Sequence, residues 1–124
     1  VANIPPTPID LALEGSMVSV SELFNTWKEG FANKDSSKLA ELLTDDFQFV
    51  GKTRNMNKQE ALDWTAGGGN PTAIDNLEVL FENDDVAVIH HSARRNNSED
   101  GVAMTFGKKK DGKFSLWRIV RQVV

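Results

Sequence analysis

A chain of 124 residues with 40% hydrophobic and 26% charged residues is typical of a single globular domain. The formal net charge of −4 argues against nucleic acid as the main partner, and no apolar stretch is long enough for a membrane span. The sequence has no cysteine, which excludes disulfides and cysteine-ligated metals and fits a cytoplasmic location.

The first 16 residues, VANIPPTPIDLALEGS, differ in character from the rest of the chain. Pro5, Pro6 and Pro8 prevent a helix at the start, and no secretory signal is recognisable. We interpret residues 1 to 16 as an N-terminal extension or an added leader that is dispensable for folding. Residues 17 to 124 should form one domain.

The next part of the chain predicts three helices. Ser19 begins a capping box, and the apolar spacing behind it predicts a helix over residues 19 to 33. The apolar stripe of this helix is Val20, Leu23, Phe24, Trp27 and Phe31. A short helix follows Asp35, and a third begins at a capping pattern at Asn57 and ends at the glycines 67–69.

Strands dominate the rest, because apolar residues there alternate with period two. The predicted strands are 46–50, 73–82, 85–95, 102–109 and 113–124. Because helices come first and an antiparallel meander comes after them, the predicted class is α+β.

Side-chain volume suggests which face of each strand meets the helices. On the strand 102–109 we expect Val102, Met104 and Phe106 to face inward, since they outweigh Ala103, Thr105 and Gly107. Phe47 and Phe49 should face inward by the same rule.

Both faces of the last strand carry apolar residues. Trp117, Ile119 and Arg121 share one face, and Phe114, Leu116 and Val120 share the other. The second face is therefore a candidate partner-binding surface. On the strand 85–95, volume does not decide between the face of His90, Ser92 and Arg94 and the face of His91 and Ala93.

Two segments are the most distinctive of the chain: GFANKDSSKLAELLTDDFQFVG (30–51) and DGKFSLWRIVRQVV (111–124). Together with the order and spacing of the elements over residues 18 to 124, they resemble the nuclear transport factor 2-like superfamily. This superfamily includes ketosteroid isomerase and the SnoaL-like polyketide cyclases. The resemblance implies a cone-shaped α+β barrel, with three N-terminal helices packed on a strongly curved, mostly antiparallel sheet. It also implies an apolar pocket at the open end and a homodimer through the outer sheet face.

The resemblance also implies which residues form the pocket. Its wall would contain Trp27, Phe49, Trp64, Met104, Trp117 and Ile119. It favours the register that turns His90, Ser92 and Arg94 inward, with Arg121 close to them. The strand 85–95 would then begin in the core and end at the pocket mouth, where the polar end of a ligand would lie.

Ketosteroid isomerase needs a carboxylate base late in the first strand and a tyrosine on the first helix. The matching positions here are Gly51 and Trp27, and the chain has no tyrosine, so the chemistry of that enzyme is not supported. His90 is instead the candidate catalytic base, since imidazole titrates near neutral pH. The alternative is a rim histidine bonded to a neighbouring strand.

Arg94 and Arg121 form either a clamp for a carboxylate or phosphate, or salt bridges to Asp63, Asp75 or Glu78.

We expect no metal and no cofactor, because His90 and His91 point to opposite faces and no metal-ligand motif is present. Three functions stay open: an isomerase, cyclase, dehydratase or hydrolase acting on a small apolar molecule with a carbonyl or anionic end, a non-catalytic binding protein, and a dimerisation module. A histidine–carboxylate pair in the cavity would favour an enzyme, whereas an aromatic pocket without one would favour a binding protein.

Overall fold

The computed structural model describes residues 17–69, 72–95 and 100–123. The elements are α1 Val20–Asn33, α2 Ser37–Ala40, β1 Leu43–Val50, β2 Asn55–Asn57, α3 Lys58–Ala66, β3 Thr72–Glu82, β4 Val86–Arg95, β5 Gly101–Lys110 and β6 Lys113–Val123. The extension at residues 1 to 16 lies outside the described residues. Within the described ranges, no helix combines the length and apolar character that a membrane span requires.

Capping residues set the starts of the two longer helices. The Ser19 hydroxyl accepts a hydrogen bond from the N–H of Glu22 at 3.1 Å, which opens α1 where the sequence predicts it. Asn57 and Glu60 form a reciprocal capping box at the start of α3. Helix α1 ends at Lys34, whose φ of 53° is left-handed.

The strands form one six-stranded sheet with the order β2-β1-β6-β5-β4-β3. β1 and β6 run parallel, and the other neighbouring strands are antiparallel. The predicted α+β class is confirmed. The sheet has two edges, β2 and β3, so it is an open sheet with helices rather than a closed barrel.

The expectation that the larger side chains of a strand face the helices is wrong for β5. Gly101, Ala103, Thr105 and Gly107 are buried on the helix side of the sheet, and Met104 and Phe106 are exposed on the outer side. A Cβ atom at Gly107 would lie 2.8 Å from the ring of Phe114, closer than Cβ contacts allow. Large side chains from neighbouring elements therefore fill this side, and β5 contributes the small residues that make room for them.

The expected orientation of β4 is wrong as well. Ile89 and His91 are buried, and the register pairs His91 with Ala103 and His90 with Met104. Because Met104 faces outward, its partner His90 also lies on the outer face. The orientation of β4 is therefore set by its pairing with β5, and the sequence of β4 alone does not reveal it.

Phe114 is fully buried. Strict alternation along the last strand predicts that it faces outward, so this expectation is wrong. The register pairs Lys109 with Phe114 but Lys108 with Leu116, so one extra residue, Ser115, lies on β6. Such a bulge changes the direction of a side chain relative to strict alternation. Phe114 therefore packs edge-on against Trp117, with ring centroids 5.7 Å apart.

Candidate functional site

A cavity of about 300 Å³ lies between α1, α3 and the inner face of the sheet. Its aromatic wall consists of Phe24, Trp27, Phe31, Phe49, Trp64 and Trp117. Its volume is at the lower end of the range for small-molecule pockets, and its wall is mainly apolar, as such pockets usually are.

Trp27 is a buried part of this aromatic wall. Only 3% of its surface is exposed, and its Nε1 donates a hydrogen bond to the Thr65 hydroxyl at 2.8 Å. The Thr65 hydroxyl in turn donates to the carbonyl of Ala61 at 2.8 Å, which ties α1 to α3. Trp117 packs against Trp27 with ring centroids 5.9 Å apart.

Trp64 also lines the cavity and is half-buried. Its ring meets Phe31 edge-on at 5.0 Å and Phe49 at 5.7 Å. The guanidinium of Arg54 lies over the ring, 4.7 Å from its centroid. The indole N–H of Trp64 is buried and has no acceptor among the described residues.

Most residues that the sequence places in the pocket do lie on this cavity. Trp27, Phe49, Trp64, Arg94, Trp117, Ile119 and Arg121 all line it. Met104 does not, because 43% of its surface is exposed on the outer face. Ser92 shares that face and hydrogen-bonds the backbone carbonyl of Asp75 on β3, so its expected place in the pocket is wrong too.

His91, rather than His90, is the histidine of the cavity. Its Nδ1 lies 2.9 Å from the carbonyl of Ser92, an acceptor, so Nδ1 carries the proton. Its Nε2 lies 3.5 Å from the Thr105 hydroxyl, and its ring meets Phe24 edge-on at 5.0 Å. Burial lowers the pKa of His91 below its ordinary value, so the imidazole is neutral at pH 7.

No carboxylate hydrogen-bonds or pairs with His91 within the described ranges. His90, the expected base, lies on the outer face, where its neighbours in register are Glu78 and Met104. The expectation that His90 enters the cavity is therefore wrong. The histidine–carboxylate pair that would favour an enzyme is not found in this part of the chain.

The mouth of the cavity is basic. Lys52, Arg54, Arg94 and Arg121 line it, and no Asp or Glu belongs to the lining among the described residues. Arg121 Nη2 donates to the carbonyl of Ala93 at 3.3 Å. Four cationic side chains in the lining favour an anion over a cation at this end of the cavity.

Arg94 is engaged in an exposed ion pair. Its Nε lies 2.7 Å from a carboxylate oxygen of Asp100, which raises the pKa of Arg94. The partner is none of the three acids that the sequence suggested. One of those, Asp75, pairs with Lys28 at 2.9 Å instead.

Several cavity residues were not selected from the sequence. Phe24 and Phe31 belong to the predicted apolar stripe of α1, which was a usable signal. Arg54 follows Gly51 in a short turn, and nothing in the local pattern marks its side chain as part of a pocket. No cluster of three metal-ligating side chains is present in the ranges that the structure covers.

No family model matches the sequence, and no curated protein matches it. Solved structures do match the fold. An NTF2-like protein of unknown function from Cytophaga hutchinsonii is 9% identical, with a TM-score of 0.69 over 86% of this chain and 92% of that chain.

Two further structures carry names that indicate an activity. A candidate ketosteroid isomerase from Kribbella flavida is 13% identical, with a TM-score of 0.65 over 81% of this chain and 75% of that chain. A hexachlorocyclohexane dehydrochlorinase from Novosphingobium barchaimii is 17% identical, with a TM-score of 0.60 over 92% of this chain and 88% of that chain. This chain therefore has the nuclear transport factor 2-like fold.

Proposed function

We propose that this protein binds a small, largely apolar molecule that ends in a carbonyl or anionic group. The observation that carries the proposal is the cavity of about 300 Å³ with an aromatic wall and a basic mouth. The apolar body of the ligand would lie against Trp27, Trp64 and Trp117, and its polar end would lie at the mouth near Arg94 and Arg121. Flat rings suit such a wall because aromatic side chains stack or meet them edge-on.

Binding is favoured over catalysis by the surroundings of His91. An acid–base enzyme needs a group that accepts or donates a proton near neutral pH. A neutral imidazole can accept a proton, but burial disfavours the imidazolium that would form, and no described carboxylate is present to stabilise it. The names of the dehydrochlorinase and the candidate isomerase indicate that this fold accommodates small apolar molecules, which supports a ligand pocket but not a particular reaction.

Ligand binding should quench tryptophan fluorescence, because all three tryptophans of the chain lie on the cavity. The experiment is a titration with neutral and anionic aromatic and terpenoid compounds. For the compounds that bind, Trp64→Ala should weaken the affinity by about tenfold or more, equivalent to about 1.4 kcal/mol. Because Trp64 is only half-buried, its loss should leave the protein folded.

The control is Met17→Ala, which removes an exposed apolar side chain away from both the cavity and the outer sheet face. Its affinities should equal those of the unaltered protein. If no compound quenches the fluorescence, or if Met17→Ala weakens binding as much as Trp64→Ala, the cavity is not the binding site.

We also propose that the protein is a homodimer through the outer sheet face. Phe81, Met104, Phe106 and Val120 are exposed on this face, and they lie on the three strands β3, β5 and β6. A lone domain rarely exposes a contiguous apolar patch of this kind. Exposed Glu78 and Arg118 lie at opposite sides of the patch, so a twofold axis could bring opposite charges together across the interface.

Val120→Glu should therefore convert the dimer to a monomer without unfolding it. Val120 is 69% exposed in the single chain, so a charge there disturbs no core contact but would be buried in the interface. Light scattering at micromolar concentration measures the change. Met17→Glu, an equally polar change at another exposed apolar residue, should leave the dimer intact. A monomeric unaltered protein would contradict the proposal.

A further inference from the structure

Arg54 lies in the turn that connects β1 to β2. The N–H of Gly51 donates to the carbonyl of Arg54 at 2.8 Å, which closes the turn. A Cβ atom at Gly51 would lie 3.5 Å from atoms of both Phe49 and Ile119, so the turn rests directly on the cavity wall. The backbone of Arg54 is thereby fixed beside the mouth.

The side chain of Arg54 is oriented by Trp64. Its guanidinium lies 4.7 Å from the centroid of the indole ring, within the distance of a cation–π contact. A guanidinium held over a ring keeps its N–H donors at its edge, where they match the two oxygens of a carboxylate. No carboxylate pairs with Arg54 among the described residues.

The other cations at the mouth are less suited to hold an anion. Arg94 is paired with Asp100, and both side chains are more than half exposed. Arg121 donates to the backbone of β4. Lys52 is exposed, and its ammonium is a point charge without the planar fork of a guanidinium.

We infer that Arg54 is the residue that determines anion specificity in this cavity, and that the preferred ligands are aromatic monocarboxylates. The inference rests on the proposed binding function. Arg54 binds the carboxylate at the mouth while Trp64, beneath its guanidinium, contacts the ring of the same ligand. A monoanion is preferred to a phosphate dianion, because a larger charge costs more to bring beside an apolar wall.

Calorimetry with 2-naphthoate, its neutral analogue 2-naphthamide and 2-naphthyl phosphate tests the inference. The unaltered protein should bind 2-naphthoate at least tenfold more tightly than 2-naphthamide. Arg54→Gln should abolish this difference by weakening the naphthoate alone. Arg54→Lys should lose most of it, since a lysine keeps the charge but not the fork. Lys38→Gln, which removes an exposed positive charge away from the cavity, is the control and should keep the difference.

The possible failures are distinguishable. If neither naphthoate nor naphthamide binds the unaltered protein, the proposed function fails and the inference fails with it. If both bind equally, or if Arg54→Gln weakens both equally, the binding function stands and the role of Arg54 is wrong. Tighter binding of the phosphate would overturn the carboxylate preference. If Arg54→Gln does not fold, Arg54→Lys decides: a variant that keeps the full preference for 2-naphthoate would overturn the role of the guanidinium.

Discussion

Trp27→Ala should lower the free energy of unfolding by about 3–5 kcal/mol, as is typical for truncation of a buried tryptophan. Trp27 is 3% exposed and packs against Phe31, Phe47, Phe49 and Trp117. Its removal would enlarge the cavity and also leave the Thr65 hydroxyl without its indole donor. Denaturant unfolding followed by circular dichroism measures the loss.

Trp64→Ala is the matched control, because it is the same substitution on the same cavity at a half-buried position. It removes less packed surface and no hydrogen bond to a described residue, so its cost should be clearly smaller. Trp27→Phe should fall between the two, since it keeps an aromatic ring but loses the bond to Thr65. Equal losses for both alanine variants would show that Trp27 is no more a part of the core than Trp64.

The sequence was sufficient for the elements that depend on local chemistry. Capping at Ser19 and Asn57 is a contact between residues three apart, so the pattern itself contains both partners. The apolar stripe of α1 likewise identifies a buried face without knowledge of what covers it. Alternation predicts five of the six described strands for the same reason, and it misses the three-residue strand β2.

The orientation of the strands was not accessible to the same reasoning, because it depends on partners distant in the chain. Gly107 must be small because Phe114 and Trp117 of β6 occupy the space above it. Phe114 can occupy that space only because a bulge turns it inward. Side-chain volume along one strand contains no information on either effect. It therefore predicts the wrong face for Met104 and Phe106.

The same error affects the predicted histidine of the site but not the predicted tryptophans. His91 replaces His90 because β4 follows the face of β5 through their shared register. The tryptophans keep their place, since each is positioned by its own element and all three elements converge on one cavity. The place of Arg54 in the site is evident only from the three-dimensional structure. Its contact with Trp64 joins a turn to a helix, and no sequence pattern links the two.

The second large effect concerns Glu82, at the end of β3. One of its carboxylate oxygens accepts a hydrogen bond from the N–H of Val20, the first residue of α1, at 2.6 Å. The same oxygen lies 2.8 Å from the ammonium of Lys109, whose side chain is only 3% exposed. The carboxylate thus compensates both a buried cation and the positive end of a helix.

Glu82→Ala should therefore lower the free energy of unfolding by about 3–5 kcal/mol, the usual cost of leaving a buried charge without its partner. Adding Lys109→Met to this variant should recover much of the loss, because the stranded ammonium is then replaced by an apolar chain of similar length. Chemical denaturation of both single variants and the double variant measures the coupling. Asp46→Ala, which breaks the exposed ion pair with Lys110, should change the unfolding midpoint only slightly. If the losses from Glu82→Ala and Lys109→Met simply add, the two groups do not depend on each other, and the helix start rather than the ion pair accounts for the effect of Glu82.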